Sequence, residues 1–204
     1  MRMKKFIPFH QIASKEVIVV DGLHPNNLVR SHWKGANKIN KVAADTSGEI
    51  VLNAIEKKID GIECPDISAT HFDIDGFVGV FALFFPSQAM QYKEVLTAMA
   101  RIGDFREFNP NSKTDVHALK LCCWINKLEK EKFYRPFEEK DEIERCVEKF
   151  EYFLPTCNAV LENPENYKSD WEEEFDQGNK DLEKINKVES LSNIGLVIKN
   201  ASLP

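Results

Sequence analysis

His71, Asp73 and Asp75 alternate along the segment Thr70-His71-Phe72-Asp73-Ile74-Asp75-Gly76. Imidazole nitrogens and carboxylate oxygens are the donors that hard and borderline divalent cations take. In an extended chain, residues two apart point to the same side. If strand geometry persists through this segment, the three side chains converge at the strand's carboxyl end, and Gly76 lets the chain turn into a helix. Capping that helix would need one Asp and contribute about 1 kcal/mol. Two Asp and a His beside an apolar strand and helix exceed that need, and they are costly to bury unless paired or metal-bound. The spacing therefore predicts a cradle for one or two divalent ions; the plainer alternative is that Asp73 or Asp75 merely caps the helix.

The elements that must position these residues can be read from the same chain. Residues 16–21, EVIVVD, form a β-branched run closed by Asp21-Gly22, the pattern of a buried strand ending in a turn. The segment 22–38 carries Pro, Gly and several Asn without a sustained period, and reads as a loop with a short strand at 28–32; a loop this long inside a domain is usually functional. Thr46 and Glu49 fit a capping box that opens a helix with Ile50, Val51, Ala54, Ile55 and Ile59 on its apolar side. A second strand at 67–72 leads into the apolar helix DIDGFVGVFALFFP, ended by Pro86. A helix at 87–102, stopped by Gly103-Asp104, follows. Beyond Pro110 the pattern predicts helices at 114–132 and 138–153, a short piece at 157–161, a helix at 169–188 and a closing strand at 194–198. That last strand would be a sheet edge or the start of a further piece. The expected fold is α/β: a small, mostly parallel sheet in the N-terminal half and a helix-rich C-terminal half. Residues 1–110 would carry the metal site and 111–204 a mainly helical region packed on it as one compact domain.

His71-x-Asp73-x-Asp75-Gly76 between a strand and an apolar helix resembles the first motif of the DHH-type phosphoesterases, a manganese-dependent superfamily of exonucleases, nucleotide hydrolases and pyrophosphatases. Ala100-Arg101-Ile102-Gly103-Asp104-Phe105 is similar to that family's fourth motif. The resemblance implies that His71 and Asp73 bind one Mn²⁺ and Asp75 the other, with Asp104 a further ligand, and that the ions activate water against phosphorus. The Asp-His-His triplet that names the superfamily does not occur, and the stretch from Gly76 to Gly103 is too short for its second and third motifs. Asp21, ending a strand, and His32 in Ser31-His32-Trp33 would supply the missing ligands from the N-terminal side in a rearranged order. Taken singly, each also reads simply as a turn residue and a surface or packing histidine. The whole order of motifs further resembles a family of uncharacterised bacterial proteins with no assigned activity.

Composition narrows the setting. The chain has 204 residues, 43% hydrophobic and 29% charged, which is enough apolar material for a core and excludes general disorder. Neither a membrane-length apolar run nor a secretory leader is present, so a cytoplasmic protein is expected. The five cysteines lack metal spacing and read as buried small hydrophobes in a reducing compartment. Between Glu138 and Glu189 stand 17 acidic and 7 basic residues. The net charge of −6 thus belongs to the C-terminal helices, where the acidic face around Trp171 would be solvated and Trp171 would dock it to the core. The N-terminal part is near neutral, which disfavours duplex nucleic acid as a partner. Arg30, Lys34, Arg101 and Arg106 are the bases nearest the proposed ligands; Arg30 and Arg101 would hold phosphate oxygens, or pair with neighbouring acids instead. His10, His24 and His117 have no spaced partner and read as surface or packing residues. Glycine-rich phosphate loops, the serine-hydrolase elbow and the zincin pattern do not occur.

The expected function is a divalent-metal-dependent phosphohydrolase using Mn²⁺ or Mg²⁺, acting on a small phosphate ester or short nucleotide by metal-hydroxide attack, with His71 and Asp75 central to activity. A non-catalytic binding protein with a degenerate DHH-like shell is the alternative from another class. A one-metal hydrolase of carbon esters is compatible with the same ligand set.

Overall fold

The computed structural model describes residues 4–12, 16–36, 42, 44–59, 61–135 and 142–192. The strand expected at 194–198 lies outside them. Four short strands, β1 (Lys5–Phe6), β2 (Ile18–Val20), β3 (Leu28–Arg30) and β4 (Asp66–Ala69), form one sheet in the order β1-β4-β2-β3. Every pairing is parallel, with Lys5 opposite Asp66, Ile18 opposite Ile67 and Val20 opposite Arg30. Alternation along β2 divides its side chains between two hydrophobic clusters. Ile18 and Val20 join the main core, while Val17 and Val19 pack with Ile12, Val29 and Ala36 on the other face. Burial on both faces is why this strand reads as a continuous apolar run rather than an alternating one.

The main core lies under the helices α1 (Ser47–Glu56), α2 (Ile74–Phe84), α3 (Pro86–Gln91), α4 (Lys93–Phe105), α5 (Lys113–Phe133) and α6 (Glu142–Glu162). The apolar helix α2 contacts the sheet and packs against α1 and α4, and α4 carries α5. A 3-10 helix (Pro164–Asp170) leads into α7 (Glu172–Ser192). Trp171, buried between them, donates Nε1–H to the Pro164 carbonyl at 2.7 Å and sits under the Lys120 ammonium, so it does dock the acidic helix to the core. No described helix is long and apolar enough to cross a membrane.

The structure departs from the sequence expectations at several boundaries. The strand expected over 67–72 leaves the sheet after Ala69. β1 had no sequence signal, being two residues long. The helix expected at 87–102 is divided at Tyr92, and Pro86 opens α3 as well as closing α2. Gly103-Asp104 does not stop α4, which runs to Phe105 and ends on Arg106 in the left-handed region (φ 57°). Gly103 serves close approach instead: a Cβ there would lie 2.8 Å from Ile74 Cβ, at the start of α2. The two pieces expected at 138–153 and 157–161 are one helix, α6, which continues through Pro155.

Aromatic side chains tie the helical half to the sheet. Phe6 of β1 stacks on Phe150 of α6 with centroids 4.4 Å apart, and Trp124 of α5 meets Phe153 edge-on at 5.2 Å. Phe72 lies 5.0 Å from Phe150 and 5.4 Å from Phe153. Its neighbours His71 and Asp73 emerge on the opposite side, so the C-terminal helices anchor the segment that carries the candidate ligands.

Candidate metal centre

The candidate ligands gather at the carboxyl ends of the parallel strands, the edge where open α/β sheets bind ligands. Asp21 follows β2 in the left-handed region (φ 46°), with its N–H on the Arg30 carbonyl at 3.1 Å. Asp is one of the few residue types that adopts this conformation readily. His32 follows β3, His71 and Asp73 follow β4, Asp75 lies in the first turn of α2 and Asp104 in the last turn of α4.

Two triads share Asp21: Asp21 with His71 and Asp73, and Asp21 with His32 and Asp75. In each, one donor atom per residue lies within 4.8 Å of the others. That spread is about twice a metal–ligand bond of roughly 2.0–2.6 Å. The two Asp21 oxygens face different ways. Oδ1 accepts the Ser47 hydroxyl at 2.7 Å, next to His32, whereas Oδ2 stands 3.4 Å from His71 Nε2. Asp21 thus presents one oxygen toward each triad.

In the first triad His71 Nε2 is 2.9 Å from Asp73 Oδ2. Its other nitrogen, Nδ1, lies 2.9 Å from Thr70 Oγ1, and the Thr70 hydroxyl donates its single proton to the Asp21 carbonyl at 2.8 Å. Thr70 can therefore only accept from His71, which places the imidazole proton on Nδ1 and the lone pair of the neutral ring on Nε2. That lone pair faces two carboxylates, an arrangement that calls for a proton or a metal ion between them. Asp73 divides its work between the two readings of the sequence: Oδ1 caps α2 through Gly76 N–H at 2.7 Å, and Oδ2 faces the triad.

In the second triad Asp75, fully buried, accepts the Ser47 N–H on Oδ2 and the Gly48 N–H on Oδ1, both at 2.7 Å. It therefore caps α1 rather than its own helix, while Thr46 Oγ1 accepts from Glu49 N–H as the capping box predicts. A Cβ at Gly48 would lie 2.8 Å from Val78 Cγ1 and 3.0 Å from Asp75 Oδ1, so the close approach of the helix start to this carboxylate requires glycine. His32 Nδ1 stands 3.2 Å from Ser47 Oγ, 3.5 Å from Asp75 Oδ2 and 3.7 Å from Asp104 Oδ2.

The electrostatics follow from crowded acids in a buried place. Burial, then the charges of Asp104 and Asp21, push the Asp75 carboxyl up to about 7, against the pull of the α1 N–H groups. Burial and the Asp73 carboxylate raise Asp21, and the same two causes raise Asp104. His71 is raised chiefly by its hydrogen bond to Asp73. Among the described residues, the side-chain cations within ion-pair distance of these four carboxylates are the two histidines alone.

Five of the six residues singled out as ligands fall in the two triads and Asp104 stands 3.7 Å from His32, though Asp75 arrives through the first turn of α2, because the strand ends at Ala69. Of the two proposed phosphate-binding residues, Arg101 pairs with Asp115 at 2.8 Å, and Arg30 is buried in β3 with one N–H on the Val29 carbonyl at 3.4 Å. His117 is half-buried on α5, and burial lowers its pKa. Burial likewise pushes the Cys122, Cys123, Cys146 and Cys157 thiols up, as expected of inert core cysteines. Ser47 and Thr70 went unrecognised in the sequence.

No curated protein and no solved structure matches the chain, so no DHH-type relative emerges. A family model does match, over residues 2–203, and its description is a family of unknown function, DUF6687. With nearly the whole sequence covered, the chain belongs to that family.

Proposed function

We propose that the chain is a divalent-metal-dependent phosphohydrolase, binding Mn²⁺ or Mg²⁺ and acting on a small phosphate ester or short nucleotide. The observation that carries this reading is the pair of His/Asp triads sharing Asp21 at the carboxyl edge of a parallel sheet. His71, Asp73 and Asp21 would hold one ion, and Asp21, His32 and Asp75 a second beside Asp104. Bound there, the ions supply a water of lowered pKa and positive charge for the phosphoryl oxygens. In hydrolysis the water oxygen bonds to phosphorus, the ester P–O bond breaks, and the leaving oxygen takes up a proton. His71, whose tautomer is fixed by Thr70, orients Nε2 toward the first centre. Ser47 fixes Asp21, His32 and Asp75 in one arrangement. The resemblance of His71-x-Asp73-x-Asp75-Gly76 to the DHH-type first motif supports the same reaction class.

The test is Mn²⁺ titration of the chain together with turnover of bis-p-nitrophenyl phosphate. Saturable binding and hydrolysis are expected, both strongly reduced in His71→Ala, with hydrolysis abolished in Asp75→Asn. Unchanged metal content in both variants sinks the reading. A second reading is favoured by one observation: both Asp75 oxygens already accept α1 N–H groups. A non-catalytic protein binding a single ion through Asp21, His71 and Asp73 fits that use of Asp75, and metal binding without turnover of any phosphate ester would establish it.

A further inference from the structure

Among the described residues, four large apolar side chains are exposed: Leu23, Trp33, Phe105 and Tyr134. The first three stand within two residues of a candidate ligand, Leu23 after Asp21, Trp33 beside His32 and Phe105 beside Asp104. Of the three, Trp33 is the one whose ring lies against a candidate ligand, whereas Leu23 borders a pocket with His24 and Val29, and Phe105 one with Thr97 and Arg101; an exposed aromatic ring beside an acidic centre is a feature of ligand sites rather than of fold stability.

Trp33 is the best placed of them. Its indole centroid lies 5.8 Å from that of the His71 imidazole, with the planes at 39°, and its backbone continues directly from His32. It therefore lies against the histidine of the first triad and directly follows that of the second in the chain. It keeps 38% of its surface exposed, whereas Trp124 and Trp171 are buried. Bases near the site are largely engaged within the protein: Arg101 with Asp115, and Arg106 with the Ile102 and Gly103 carbonyls. Lys34, next to Trp33 in the chain, is exposed. Such a surface suits one phosphate and a planar ring better than a polyphosphate chain.

We propose that Trp33 is the stacking platform of this site and that the phosphate ester it takes carries a nucleobase, as in a nucleoside monophosphate or short oligonucleotide. This rests on the site being a metal-dependent phosphoester centre. Base–indole stacking is tolerant of base identity and adds affinity that a ribose phosphate cannot gain.

The test uses the full chain with Mn²⁺ and measures binding of AMP, phenyl phosphate and ribose 5-phosphate by equilibrium dialysis, with quenching of the exposed indole as a second readout. AMP should bind at least about tenfold tighter than ribose 5-phosphate. Trp33→Ala should remove that advantage and Trp33→Phe should keep most of it, while both variants still bind Mn²⁺. Equal binding of AMP and ribose 5-phosphate, an AMP preference that survives in Trp33→Ala, or no AMP binding at all overturns the proposal. Phenyl phosphate binding as tightly as AMP overturns the nucleobase assignment. Parallel turnover assays separate the two readings. Ring-dependent binding without hydrolysis sinks the phosphohydrolase and leaves the platform standing, and hydrolysis without ring preference does the reverse.

Discussion

Two buried aspartates at helix starts, Asp75 and Asp115, take opposite electrostatic courses. Asp115, in the first turn of α5, accepts the Asn109 N–H and the Ser112 hydroxyl, each at 3.0 Å, and the Arg101 guanidinium at 2.8 Å. Burial pushes its pKa up, but these donors outweigh it and hold the carboxyl below its usual range. Asp75 also accepts two backbone N–H groups at 2.7 Å, yet it faces Asp21 and Asp104 and is raised to about 7. Burial and backbone N–H donors are common to both. The neighbouring charge differs: an arginine of the chain itself in one case, and further carboxylates with a histidine 3.5 Å away in the other. The Asp115 group is electrostatically complete, whereas among the described residues the Asp75 group has only a histidine to offset its carboxylates.

The largest effect should come from removing the carboxylate common to both triads. Asp21→Asn is expected to lower Mn²⁺ affinity by more than the roughly 10–100-fold typical of losing a supporting partner, in isothermal titration, and to remove both binding events together. A variant that loses only one event would break the bridging role. Asp115→Ala should do the converse, leaving Mn²⁺ affinity unchanged while costing about 2 kcal/mol in chemical denaturation, from a lost cap and lost hydrogen bonds. A fall in metal affinity there would blur the distinction between the two aspartates.

Acidity should separate them by sign. Asp75 has a folded pKa of about 7 against an ordinary value of 3.8, so between those values the native state binds more protons than the unfolded chain. Stability of the metal-free protein should then fall as pH rises through that window, by about 2–4 °C or more in Tm. Added Mn²⁺ should flatten the slope, because the ion takes the place of the proton. Asp115, depressed in the fold, contributes stability that is present above its unfolded pKa and is lost as pH falls below it. Asp115→Asn should therefore weaken acid denaturation without touching the slope near neutrality. A slope near pH 6 that survives saturating Mn²⁺ would argue against Asp75 as its source.

The sequence displayed this contrast only in part. β2 and β4 were legible because strands buried on both faces keep β-branched runs, whereas β1 is defined by backbone bonds from Lys5 to Pro65 and from Ile7 to Ile67 that no side-chain pattern announces. His71, Asp73 and Asp75 could be picked out as candidate ligands by type and spacing, with Asp104 added by resemblance and Asp21 and His32 as completions, but the reason for their convergence could not. His71 and Asp73 lie beyond the end of β4, in the segment leading into α2; Asp75 comes in through the turn into α2, held by a helix start 28 residues earlier in the chain. Nothing local in the sequence marks Ser47, because its three contacts, with Asp21, His32 and Asp75, are all tertiary. Arg101 was ambiguous between substrate and partner until Asp115 was seen to receive it.

The smallest effect belongs to the acidic surface of the C-terminal helices. Lys130 and Glu174 pair at 2.5 Å across α5 and α7, with Lys130 67% exposed. In high dielectric such a pair gains little and costs side-chain entropy, so Glu174→Gln should change stability by no more than about 0.5 kcal/mol, less still at high salt. α7 does not depend on it, because Trp171 is buried and hydrogen-bonded to Pro164 and meets Phe175 edge-on at 5.5 Å. A loss above about 1 kcal/mol in chemical denaturation would mean that the acids of this face act structurally. The charge of the C-terminal helices would then resemble the completed Asp115 arrangement rather than a solvated surface.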